Sequence, residues 1–179
     1  MSDELLTARL RLRRWGDGDV AAMTAINRDP EVTRYLNAPT HPAAVAAFLD
    51  RVRAHWDVHG FGYWAVEPRG GGELLGFAGV AHPAFLESVA HRPELGWRLA
   101  RAAWGRGYAT EAATAARDDA LGRLGLDELI SIIHPDNARS RRVASKLGMS
   151  VETHVRHPLL GVDVEIWRTS PPCGGARSA

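Results

Sequence analysis

The sequence predicts an α+β (mixed α/β) fold in one domain, a central mixed sheet of six to seven strands flanked by about four helices. Three observations predict it. Apolar and polar residues alternate in short runs, as at residues 9–15 and 94–99; elsewhere apolar residues recur at helical spacing; and strand, helix, strand and helix follow one another across residues 94–155, making the middle of the sheet parallel in part. With 179 residues, 45% hydrophobic and 24% charged, the chain is long enough for one sizeable core. The expected domain covers residues 1–170, and residues 171–179, which include Pro171-Pro172-Cys173, form a disordered tail.

Each element has a local cause. Leucine alternates with arginine over Arg9 to Trp15, the period of a half-buried strand. Asp17 then offers an N-cap for a helix striped with Val20, Met23 and Ile26, and Pro30 stops it. Thr40 is the expected cap of a second helix carrying Val45, Phe48, Leu49, Val52 and Trp56, with Gly60 as its stop. Residues 61–67 and 73–81 read as strands joined through Pro68-Arg69-Gly70-Gly71-Gly72.

In the strand at 94–99, Leu95, Trp97 and Leu99 share one face and Glu94, Gly96 and Arg98 the other. A helix follows whose small face, Ala109, Ala112, Ala113, Ala116 and Ala120, can lie close against a sheet. Residues 129–134 form an apolar strand, Asn137 caps a helix with Val143, Ala144 and Leu147, Gly148 closes it, and strands at 151–155 and 162–168 finish the sheet. Trp15, Trp56, Trp64 and Trp97 are read as core. Ligands of such a sheet sit at the carboxyl ends of its parallel strands.

Composition narrows the function. A net charge of +1 and a pI near 8.1 give no clustered basic footprint for nucleic acid, and no apolar run reaches the length of a membrane span. The acidic start, Met1-Ser2-Asp3-Glu4, lacks a secretory apolar region, so a cytoplasmic protein is expected. A single cysteine, Cys173, offers neither a disulfide framework nor a thiolate metal site. His55 and His59 are four apart and His154 and His157 three apart, yet no third ligand is in register and no glutamate follows His55, so no metal is expected.

The chemistry concentrates in Trp104-Gly105-Arg106-Gly107-Tyr108-Ala109-Thr110-Glu111, between the strand ending at Leu99 and the alanine-rich helix. Its glycines permit positive φ, and the free N–H groups of the helix's first turn suit an anion. A tight helix entry explains the same residues. No Gly-Lys-Ser/Thr follows, and the third glycine of a dinucleotide fingerprint is missing, which leaves a pyrophosphate held on backbone amides with Arg106 as a supporting cation.

With this turn stand Thr7-Ala8-Arg9-Leu10-Arg11-Leu12-Arg13, Asp29-Pro30-Glu31-Val32-Thr33-Arg34-Tyr35-Leu36, Glu94-Leu95-Gly96-Trp97, Pro135-Asp136-Asn137-Ala138-Arg139-Ser140 and Lys146-Leu147-Gly148-Met149. In these motifs and their order the chain resembles the GNAT N-acetyltransferases, in particular the branch containing the ribosomal-protein N-terminal acetyltransferases. The resemblance implies a splayed parallel strand pair that holds acetyl-CoA as co-substrate between the strand ending near Leu99 and the strand ending near His134. Backbone amides in the split would pair with pantetheine, and those of Arg106, Gly107, Tyr108, Ala109 and Thr110 with the diphosphate. Asn137 serves as a helix cap, as a pantetheine contact, or as both. The resemblance allows a homodimer.

Transfer to a primary amine, on a protein N-terminus or a small molecule, needs a base, because ammonium groups have pKa values of about 8 to 10. Glu94 is the leading candidate, with a solvated strand carboxylate as the other reading; Glu111, at a helix start, is less suited to the task. A backbone N–H near Leu99 or Ala100 would hold the oxyanion. Many members of the family protonate the departing thiolate with a tyrosine on the helix after Asn137, where this chain has Ala144. Ser140 is the replacement donor or simply a first-turn residue. Arg139, Arg141 and Arg142 could meet a CoA phosphate or form a solvated helix face. Two other functions stay open: a CoA-binding module of this fold without catalysis, and a nucleotide- or dinucleotide-binding α/β protein.

Overall fold

The computed structural model describes residues 4–169, so the expected tail at 171–179 and Cys173 lie outside the described residues. The strands are β1 (Glu4–Leu6), β2 (Leu10–Arg13), β3 (Tyr63–Pro68), β4 (Gly76–Ala81), β5 (Glu94–Leu99), β6 (Ile130–Ile133), β7 (Met149–Arg156) and β8 (Asp163–Thr169). The helices are α1 (Asp19–Arg28), α2 (Pro30–Thr33), α3 (Pro42–His59), α4 (Tyr108–Gly122) and α5 (Ala138–Lys146). One open sheet runs β1-β2-β3-β4-β5-β6-β8-β7, antiparallel throughout except for the β5–β6 pair. The α+β class and the mixed sheet are as the sequence predicts. The described residues add an eighth strand, β1, and a fifth helix, α2.

Both additions are short, which hides their periodicity. Pro30, expected as a stop, does follow the end of α1 at Arg28, and it also opens α2, because proline lacks the N–H that a first helical position leaves unpaired and Asp29 caps the turn by accepting from the Glu31 amide at 2.9 Å. Two expected caps also move by a residue or so. Gly18 precedes α1, and His41 precedes α3, with Pro42 in its first turn. Asp17 is an exposed partner of Arg53, while Asp19 accepts the Gly16 amide at 2.8 Å and both guanidinium nitrogens of Arg13 at 2.7 and 2.9 Å. Gly60 ends α3 at φ 74°, a left-handed conformation natural to glycine.

The core lies between the sheet and its helices. Val45, Leu49, Val52 and Trp56 of α3 and Met23 of α1 are buried with Leu10, Leu12, Trp64 and Val66 of the sheet. Ala112, Ala113, Ala116 and Ala120 are buried where α4 packs across β4 and β5. Their small size sets the approach of α4 to the sheet, and so fixes where its N-terminus points.

The sheet opens at one place. β5 and β6 share a single register pair, Glu94 with Ile130, reinforced by the Ser131 hydroxyl donating to the Leu95 carbonyl at 2.6 Å, and then diverge. The other edge of β5 stays zipped to β4 from Ala81↔Glu94 to Gly76↔Leu99. The Ala100 amide donates to the Leu75 carbonyl at 2.8 Å, which sets the phase of that antiparallel ladder. By its alternation, the amides of Trp97 and Leu99 face away from β4, into the split.

Candidate functional site

At the mouth of the split the chain makes the turn that sequence singled out. Gly105 and Gly107 take φ of 75° and 79°, and Gly107 precedes α4 with no side-chain cap. The first α-helical bond into this turn is from the Glu111 amide to the Gly107 carbonyl at 3.0 Å. The amides of Tyr108, Ala109 and Thr110 therefore lack helical acceptors and point outward at the positive end of a 15-residue helix.

Two anchors hold the turn. Glu111 accepts from the Thr7 hydroxyl at 2.6 Å, the Arg9 amide at 2.9 Å and Arg9 Nε at 2.7 Å, and Arg9 Nη1 donates to the Arg106 carbonyl at 2.9 Å. Although burial acts to raise the Glu111 pKa, these bonds outweigh it and hold the carboxyl below its ordinary range. On the other side, Trp104 Nε1 donates to the Leu99 carbonyl at 2.9 Å, tying the turn to the end of β5.

A cavity of about 370 Å³ runs from this turn along α5, lined by Leu99, Gly107, Tyr108, Ala109, Thr110 and Asn137 among others. Arg139, Arg142 and Lys146 also line it. Arg106 is exposed and is absent from the lining, whereas Arg141 pairs with Glu165 at 3.1 Å. Of the expected arginine cluster, then, two members face the cavity.

A second cavity, about 610 Å³, is lined by Glu94, Gly96 and Arg98 from one face of β5. Glu94 and Arg98 share that face of β5, with the aromatic side chains of Phe48, Tyr63 and Phe77 beside them. Glu94 is buried, at 8% exposure, which removes the reading of a solvated strand carboxylate. Burial raises its pKa from 4.5 to about 7, against the opposing pull of the Tyr63 hydroxyl, the Ile132 amide and the Arg98 charge. Tyr63, pushed well above its ordinary value by the same burial, donates to Glu94 Oε2 at 3.4 Å. Gly96 makes that contact possible, since a Cβ there would stand 3.1 Å from the Tyr63 ring. Burial also lowers the Arg98 guanidinium to about 10; its Nη1 donates to Asn27 Oδ1 at 2.9 Å and its Nε is buried without a partner among the described residues.

The two cavities meet. Tyr35, Leu36, Trp97, Arg98, Asn137 and Ser140 line both. Asn137 Oδ1 accepts the Ser140 amide at 3.1 Å, so the expected cap is present, and it holds the start of α5 at the junction. Ala144 is fully buried in the core and belongs to neither lining.

Several site residues escaped sequence reasoning. Trp97, read as core, packs against it but is only partly buried and lines both cavities. Tyr35, on the short segment after α2, packs against His134 with ring centroids 4.8 Å apart and the rings tilted by 35°. Ala100, one of two expected oxyanion donors, spends its amide on Leu75, leaving the strand amides ahead of it. The third histidine judged missing from register is His82, which joins His55 and His59 from the end of β4.

Comparison with known proteins agrees with this geometry. The family profile described as "Acetyltransferase (GNAT) domain" matches residues 9–150. The uncharacterized protein YkkB of Bacillus subtilis is 31% identical over 154 residues, covering 86% of this chain and 88% of its own. Among solved structures, an acetyltransferase from Agrobacterium tumefaciens superposes with a TM-score of 0.82 at 28% identity, covering 95% of both chains. Two more distant ones share the fold. Ribosomal-protein-S5-alanine acetyltransferase from Vibrio fischeri has a TM-score of 0.73 at 15% identity over 96% of this chain and 98% of that one. The yncA protein of Salmonella typhimurium, solved with acetyl-CoA, has 0.70 at 20% over 95% and 98%.

Proposed function

This chain belongs to the GNAT acetyltransferase family, and from that premise we propose that it transfers an acetyl group from acetyl-CoA directly to a primary amine within a ternary complex. The observation that carries the reading is the meeting of two cavities at a split sheet, one fronted by free helix-start amides and the other by a buried carboxyl with a pKa near 7. Structural likeness to the acetyl-CoA-bound yncA protein supports the choice of co-substrate.

In this reading the diphosphate rests on the amides of Gly107 to Thr110, with Arg139, Arg142 and Lys146 nearby, and pantetheine extends along the outward amides of β5 past Asn137. Arg106 contributes through its backbone. The acceptor enters the larger cavity as an ammonium and loses a proton to Glu94, directly or through water; a base with a pKa near 7 is matched to that task at neutral pH. The amine nitrogen then bonds to the thioester carbon, and the oxyanion takes the N–H of Leu99 or Trp97. As the C–S bond breaks, the thiolate is met by the Ser140 hydroxyl, a weak acid but an adequate donor.

The acceptor is a protein N-terminus or a small-molecule amine. A thiol-release assay with acetyl-CoA and a panel of amines, including ribosomal-protein N-terminal peptides, tests the reading. Turnover with at least one acceptor, slowed in Glu94→Gln, is expected. Tight coenzyme binding without turnover on any amine would favour a non-catalytic CoA-binding module, which the alanine at position 144 keeps in view.

A further inference from the structure

Three histidines converge beside the larger cavity, away from the diphosphate turn, and two of them, His55 and His82, line it. His55 and His59 stand four apart on α3, so their rings leave one helical face, with centroids 4.3 Å apart. His82, the first residue after β4, enters from the sheet at 5.4 and 4.8 Å from those rings. One ring nitrogen from each lies within 4.8 Å of the others, and His55 Nε2 is 3.3 Å from His82 Nδ1. Two nitrogens on one tetrahedral zinc, each bonded at about 2.0–2.1 Å, stand about 3.3 Å apart.

The tautomer of His55 is fixed from behind. Its Nδ1 lies 2.8 Å from the Phe61 carbonyl, which can only accept, so Nδ1 carries the proton and the Nε2 lone pair faces the other two rings. A ring held by a backbone carbonyl in this way is the usual support of a metal-binding histidine. At present that lone pair takes the His82 amide at 3.1 Å. His82 lies just past the strand end, and His59 is exposed, so both can adjust to a cation that replaces this bond.

We propose that His55, His59 and His82 form a binding site for a divalent metal ion of the zinc class, with its fourth position open to the cavity that also holds Glu94. Three imidazoles suit zinc, copper or nickel and not magnesium or calcium, which require oxygen donors. His55 and His82 line the larger cavity and neither lines the smaller one, so an ion there adjoins the acceptor side. Its open position would take water or a donor atom of the acceptor.

The test uses untagged full-length protein, stripped by chelator, without acetyl-CoA or amine, titrated with Co²⁺ alone and followed by visible absorption, then displaced with Zn²⁺. One equivalent with a tetrahedral Co²⁺ spectrum is expected. Affinity should fall at least tenfold in His59→Ala, whose exposed side chain makes it safe for folding, and in His82→Ala, while His154→Ala binds like wild type. No saturable binding at neutral pH, or unchanged affinity in both His59→Ala and His82→Ala, would overturn the site and leave the three rings as a packing cluster around Phe61. Because no turnover is read, this outcome is independent of the acetyl-transfer reading.

Discussion

Burying the Glu94 carboxyl costs stability, and the proposed role as base would be what that cost serves. That carboxyl has a pKa of about 7 in the folded chain and 4.5 when exposed, so between those values the unfolded chain has released a proton that the folded chain retains. Stability from this group therefore falls as pH rises from about 4.5 to about 7, and stays low above that, by up to ~3 kcal/mol. Glu94→Gln should accordingly melt at a higher temperature than wild type at pH 8, with the difference vanishing near pH 4.5. The same variant should lose about 10²-fold or more in kcat/KM, and with it the rise in activity through pH 7 that wild type should show. A Glu94→Gln enzyme with full turnover at every pH would remove this residue from the mechanism. For Ser140→Ala, the account expects a lower kcat with little change in the KM for acetyl-CoA, read under conditions where the chemical step limits the rate.

What strand alternation could tell about Glu94 was only its face. That Tyr63 covers it follows from β3 lying two strands away in the sheet order and from the missing Cβ at Gly96, and neither is a local signal. The same limit explains His82: it sits 23 positions beyond His59 with no shared periodicity, and only the β3–β4 hairpin brings it back to α3.

At the scale of the element, the start of α4 joins sequence to function most directly. Gly107 is needed for its left-handed backbone at φ 79°. Gly107→Ala should cost about 1–2 kcal/mol in stability from the backbone alone. It should also raise the KM for acetyl-CoA several-fold while leaving that for the amine nearly unchanged, measured by varying each substrate in turn. Equal effects on both would mean that the turn does not hold the coenzyme. Glu111 was legible as a helix-start acid, but its reach to Thr7 and Arg9 was not, because those partners lie 104 and 102 positions away in the chain. Elements with long, clear periods, α3, α4 and β5, are where the sequence reading expects them. Those it missed, β1 with three residues and α2 with four, are too short for any period to declare itself.

Across the whole molecule the functional feature is an interruption. Among the described residues seven neighbouring strand pairings join eight strands, and the only parallel one closes by a single register pair before it opens. An edge of β5 is thereby left with amides at Trp97 and Leu99 for an extended amide ligand, between a helix start on one side and a buried acid on the other. Fold class and the glycine turn before α4 could be read from ordered motifs. The junction of the two cavities could not, since Tyr35, Trp97, Arg98 and Ser140 come from three separate stretches of chain that only the closed fold assembles.

A crystal structure of the protein with acetyl-CoA measures that arrangement directly. The account predicts the diphosphate on the amides of Gly107 to Thr110, pantetheine between β5 and β6 beside Asn137, and the acetyl group at the junction facing Glu94 and Ser140. A coenzyme seated elsewhere, with the turn at Gly107 vacant, would contradict it.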